Sequence, residues 1–133
     1  MPAIVEFLFP SPAARSTASI VSWWERRRLP YNLIVGASGL FSLAVVQVVT
    51  WMPGAPPGML DWRPVVVFGV GANVCYFLGP LVEVAIARLW GRKVLPTGPT
   101  LYRMGLTFSV GLALFPALLV TLFWLARVVL LLF

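Results

Sequence analysis

The sequence has no histidine, a single cysteine and only four acidic residues among 133. There is therefore no material for a disulfide framework, a zinc site, a histidine-ligated haem, a Ser-His-Asp triad or a Cys-His pair, and neither an enzyme nor a resident cofactor is expected. Internal repeats, a glycine-rich phosphate loop and low-complexity tracts are also missing. Charge is scarce: 11% of residues are charged, against about a quarter in soluble domains. What remains is apolar, at 60% hydrophobic residues with a mean hydropathy of +0.94. An ordinary soluble domain is excluded, and an all-α integral membrane protein is expected.

Three apolar stretches approach the roughly 20 residues needed to cross about 30 Å of hydrocarbon. They predict spans at about 29–51, 65–90 and 102–127, forming a three-helix membrane domain over 29–133. The arginine cluster follows the first apolar residues and directly precedes a full-length span, unlike a secretory signal, so the first span is read as a retained anchor. Basic residues are unevenly placed. Arg15, Arg26, Arg27 and Arg28 precede the first span, Arg88, Arg92, Lys93 and Arg103 lie between the second and third, and only Arg63 and Arg127 fall on the other side. By the positive-inside rule the N-terminus and second loop are expected in the cytoplasm and the C-terminus outside. Insertion explains the net charge of +6 without a nucleic-acid surface.

Ahead of the first span, Ser11 and Pro12 resemble an N-cap with proline at N1. Ala13, Thr17, Ile20 and Trp24 then recur at helical spacing, which suggests an amphipathic helix within residues 1–28, lying on the cytoplasmic leaflet against anionic lipids. The alternative is a short helix beginning at Ser22, with Glu25 completing a capping box. In either case Pro30 is expected to end that helix and start the first span. Residues 53–64 have the composition of a turn-rich loop, and Pro80 and Pro116 should kink the second and third spans.

Small residues recur every four positions at Gly71, Cys75 and Gly79 in the second span and at Gly105, Ser109, Ala113 and Ala117 in the third. Such stripes mark close helix contacts, either within one bundle or in self-association. A mid-span thiol such as Cys75 is read as an apolar filler. Two amides, Gln47 and Asn73, need partners in hydrocarbon, and their separation in height makes a direct bond between them marginal. Past Trp124 and Arg127 come six apolar residues, 128–133, so the third helix is either strongly tilted or projects toward something that covers it.

Glu83 is the one acid inside a continuous apolar stretch. Twenty residues at about 1.5 Å each separate it from Arg63, which brings it to the cytoplasmic interface. A structural clamp to Arg28 and Arg103 is expected there, tying the three helix ends together; the competing reading is proton or ion coupling.

The runs Trp24-Glu25-Arg26-Arg27-Arg28-Leu29-Pro30-Tyr31-Asn32 and Ala72-Asn73-Val74-Cys75-Tyr76-Phe77-Leu78-Gly79-Pro80-Leu81-Val82-Glu83 follow the patterns W-E-x-R-R-x-x-Y-N and A-N-x-C-Y-x-x-G-P-x-x-E. In these the chain resembles short, uncharacterised bacterial multi-span inner-membrane proteins. The resemblance implies an inner-membrane location and a common framework of Tyr31, Asn32, Asn73, Tyr76, Pro80 and Glu83, and brings no activity. The expected function is that of a non-enzymatic accessory or assembly subunit, in contact with lipid and with other membrane proteins or its own copies. A small homo-oligomeric transporter or channel is the alternative.

Overall fold

A computed structural model describes residues 16–55, 63–91 and 97–133, and among these the chain is helical with no strand. Three helices follow in order: α1 (Thr17–Thr50), α2 (Arg63–Leu89) and α3 (Gly98–Leu132). All three are long and apolar enough to span a bilayer. At 1.5 Å per residue, α1 and α3 measure about 50 Å and α2 about 40 Å, each longer than the hydrocarbon layer.

The expected break at Pro30 is not there. α1 runs unbroken through Pro30, and residue 28 marks no boundary. The helix starts instead at Ser16, whose hydroxyl accepts from the Ser19 N–H, and Ser22 lies inside it, so the Ser22 capping box does not form. A separate amphipathic surface helix is not seen among the described residues, and the Ser11–Pro12 cap lies outside them. Membrane helices tolerate an internal proline when packing offsets the lost backbone bond. Here Ile20 and Trp24, both ahead of Pro30, are buried in the core together with Tyr31, Val35, Ala72 and Tyr76.

Buried positions on α1 fall at Ile20, Trp24, Tyr31, Val35, Ser42 and Val49, a spacing of four and seven that resembles a coiled-coil seam. α1 makes its most extensive contact with α3, which buries Ser109, Ala113 and Ala117. These small side chains let the backbones approach closely. Where Pro116 interrupts the α3 ladder, the Ala117 N–H donates to Ser42 Oγ at 3.3 Å. At the far end of the seam Trp124 Nε1 donates to the Pro53 carbonyl at 3.2 Å, and Gly54, in a left-handed turn at φ 80°, lies against Leu131. α2 is less embedded. Its buried residues are Ala72, Tyr76 and Glu83, while residues 63–67 are all exposed, so the three helices close around the arginine-rich end and α2 opens away from it.

The stripes divide accordingly. A β-carbon at Gly79 would run into the Trp24 indole, whereas at Gly71 and Gly105 it would meet nothing within 4 Å, and Cys75 is exposed. Gly71, Cys75 and Gly105 therefore mark no close helix contact among the described residues. The reason is register: the face of α2 that meets α1 carries Ala72, Tyr76 and Glu83, one position around from Gly71 and Cys75. Gly79→Leu should cost on the order of 1–3 kcal/mol through overpacking. Gly71→Leu should stay within about 0.5 kcal/mol of wild type. Thermal unfolding in detergent checks both.

Candidate functional site

At the arginine-rich end the polar and aromatic side chains of all three helices converge. Trp24, placed there because α1 continues through Pro30, is 3% exposed and donates its indole N–H to Glu83 Oε2 at 2.6 Å. Glu83 is 4% exposed, and its carboxylate also lies against the first residue of α3: a β-carbon built on Gly98 would stand 2.5 Å from Oε2. The first N–H groups of a helix lack intrahelical partners and carry partial positive charge. α3 has Thr97 at its N-cap with no side-chain cap bond, and Pro at N1/N2, so an acid from α2 stands where a cap belongs. One carboxylate thus touches α1 and α3 from α2. Gly98 is required there because any side chain would displace it.

A second layer lies one to two turns deeper. The Tyr76 hydroxyl donates to the Trp24 carbonyl at 2.5 Å, and the Tyr31 hydroxyl shares a 2.7 Å bond with Ser109 Oγ while donating to the Ala72 carbonyl at 3.3 Å. All three tyrosines of the chain meet here. Tyr31 and Tyr76 have centroids 4.6 Å apart, and Tyr102 stands edge-on to Trp23, Trp24 and Tyr31 at 6.1–6.4 Å. Edge-to-face rings add about 0.5–1.5 kcal/mol per pair beyond the area they bury. Because Tyr31 reaches α2 and α3, and Tyr76 reaches α1, the cluster ties α1 to both other helices.

The residues expected to matter fall into separate groups. Arg28 forms a 3.4 Å ion pair with Glu25 and lies 4.5 Å over the Phe77 ring, and Arg103 is exposed. A bond from the Trp24 indole to Glu83 was not among the expected contacts. Of the framework residues, Tyr31, Tyr76 and Glu83 belong to the cluster. Asn73 donates to the Gly69 carbonyl of its own helix at 3.0 Å, and Asn32, Pro80 and Gln47 are half-buried. The sequence reading placed Trp24 at the membrane interface without foreseeing its bond to Glu83, and it missed Gly98. Ile20, Trp24, Tyr31 and Val35 share one helical face, a signal that treating Pro30 as a boundary hides.

Between α2 and α3 a laterally open cleft of about 250 Å³ has Trp24, Tyr31, Tyr76 and Tyr102 among its lining residues, with Cys75 and Gly105 on its walls. Its surface is almost wholly apolar. Among the described residues no group of three or more His, Cys, Asp or Glu side chains gathers to hold a metal ion.

Removing the indole N–H while keeping the ring, as in Trp24→Phe, should cost about 1–3 kcal/mol, because a buried acceptor loses its donor. Glu83→Gln, which still accepts, should cost less than Glu83→Lys, which places a cation at the positive end of α3. A double-mutant cycle of Trp24→Phe with Glu83→Gln should show coupling of about 0.5–3 kcal/mol in unfolding measurements. No protein family, curated protein or solved structure matches this chain.

Proposed function

We propose that this protein is a non-enzymatic accessory or assembly subunit of a bacterial inner-membrane complex, its N-terminus in the cytoplasm. The observation that carries this reading is the division of its surface. The polar bonds among Trp24, Tyr31, Ser42, Tyr76, Glu83 and Ser109 join one helix to another, while large apolar side chains face outward along all three. Lipid alone can cover such a surface at mid-membrane. It covers the end of α3 less well. From Arg103 to Trp124 is 21 residues, about 32 Å, which already matches the hydrocarbon thickness. Beyond Trp124, Val129, Leu130, Leu131, Leu132 and Phe133 are all at least half exposed. Apolar surface past the aromatic belt favours another membrane protein as its cover. The inner-membrane assignment draws on the basic-residue bias and on the family resemblance.

Mild solubilisation should co-purify a defined membrane partner, and deleting residues 128–133 should release it while the bundle still unfolds at the wild-type temperature. Recovery solely as a homo-oligomer that conducts ions in liposomes would favour the transporter reading instead. For orientation, Ser19→Cys and, separately, Gly58→Cys in a Cys75→Ala background should be treated on intact cells with an impermeant thiol reagent. Gly58→Cys should label and Ser19→Cys should not.

A further inference from the structure

Two small residues of the stripes take no part in helix packing among the described residues. A β-carbon on Gly105 would meet nothing within 4 Å, and Cys75 is exposed. Both line the apolar cleft of about 250 Å³ beside the tyrosine cluster, so they leave space open where the other small residues bring helices together. A buried apolar cavity of about 150 Å³ takes up a benzene-sized molecule, and this volume admits a longer apolar group. The lining gives the cleft a direction. It runs from Val82 to Cys75 on α2 and from Leu101 to Ser109 on α3, which is about 10–12 Å along the helix axes. Val82 and Leu101 belong to the end where Glu83 meets Gly98, so the cleft starts at the membrane interface and extends into one leaflet. The deeper hydroxyls are already engaged: Tyr31 with Ser109, and Tyr76 with the Trp24 carbonyl. Tyr102, at the interfacial end, differs. It is half-buried and stands edge-on to three rings, and among the described residues no hydrogen bond engages its hydroxyl.

We propose that this cleft seats one acyl chain of a diacyl phospholipid from the adjoining leaflet, with the ester carbonyl of that chain accepting from the Tyr102 hydroxyl. An acyl chain lies along the membrane normal, as the cleft does, and needs no polar partner at its deep end. A quinone head carries carbonyls on opposite sides of its ring, and the hydroxyls it would meet at depth are bonded to one another or to backbone. A helix of a second copy, about 10–12 Å across with its side chains, is too thick for this volume over this length. Left empty, the cleft would deprive its lining of contacts, and water does not settle on so apolar a surface. The ester level of a lipid lies at the interface, where Tyr102 stands about one hydrocarbon thickness from Trp124. The inference needs the membrane placement of the helices and does not depend on the accessory-subunit reading.

Cys75, the single cysteine of the chain, reports on the cleft directly. The full chain is purified in a steroid-based detergent, which has no alkyl chain, and Cys75 is labelled with an apolar maleimide while dioleoyl phosphatidylcholine is added. At about ten times its half-saturating concentration the lipid should slow labelling about tenfold. Gly105→Leu fills the cleft without meeting a neighbour, so it should keep the wild-type unfolding temperature in lipid-free detergent and make labelling indifferent to lipid. Gly111→Leu, equally open on the same helix but outside the cleft, should respond as wild type does. Tyr102→Phe keeps the ring contacts and should raise the half-saturating concentration about two- to tenfold for the ester lipid, and leave it unchanged for the dialkyl ether analogue. Native mass spectrometry should show one retained lipid in wild type and none in Gly105→Leu. Labelling unaffected by lipid in wild type, a wild-type response in Gly105→Leu, or an unaltered ester preference in Tyr102→Phe would each overturn the proposal. So would protection by a short-chain ubiquinone at lower concentration than the phospholipid, or protection that grows with protein concentration in the absence of lipid.

Discussion

A carboxylate that leaves water must find donors, and where those donors come from decides how the surrounding chain is arranged. In this protein the carboxylate of Glu83 finds the indole of Trp24 on one helix and the N-terminal turn of another. Each contact constrains an element. The indole bond requires α1 to carry on through Pro30 as one helix, because Trp24 lies six residues before it. The contact with α3 requires glycine at residue 98. The close approach of the ring to α2 requires glycine at residue 79. Three sequence features that look independent are consequences of one buried acid.

The tyrosine layer extends the same logic into the membrane. Hydroxyls of Tyr31 and Tyr76 bond to backbone carbonyls on neighbouring helices, atoms already engaged in helical ladders but with a second lone pair to offer. Membrane helices gain little from excluding water when they pack, so hydrogen bonds of this kind and ring contacts are what distinguish one arrangement from another. The gradient along the bundle follows. Where the aromatic and acidic side chains gather, α2 is buried. Toward Arg63 residues 63–67 are all exposed and its contacts fade. The cleft beside the cluster is lined by its rings together with small residues such as Cys75 and Gly105.

Much of this was legible from residue order alone. Hydropathy and length identify the three spans, and helical rise from Arg63 places Glu83 at the basic end, where it stands beside Trp24 and Gly98. The identity of its donor was not legible. Counting charges makes arginine the natural partner and gives no hint of the indole N–H that Trp24 donates, while Arg28 is engaged with Glu25 and Phe77. Small-residue spacing marks contacts within the bundle at Gly79, Ser109, Ala113 and Ala117 but not, among the described residues, at Gly71 and Gly105. Periodicity reveals that a face is small without saying which way it points, and a register offset of one residue turns a stripe by about 100°.

Proline is where local rule and tertiary context part most clearly. In water an internal proline removes a backbone bond and costs about 3 kcal/mol or more, which favours a break at Pro30. A break would free Trp24 to lie in the interface and leave Glu83 without the donor it has here. Continuing the helix buries Ile20 and Trp24, satisfies the acid and brings the Trp24 carbonyl to Tyr76. Several favourable contacts then stand against one lost bond, and the helix stays whole. The same reasoning applies at Pro116, where the adjacent Ala117 N–H turns to Ser42 of α1. In both places the residue that follows the proline, Tyr31 or Ala117, is buried and bonded to a neighbouring helix, so the lost backbone bond sits next to a contact that holds the helix in place.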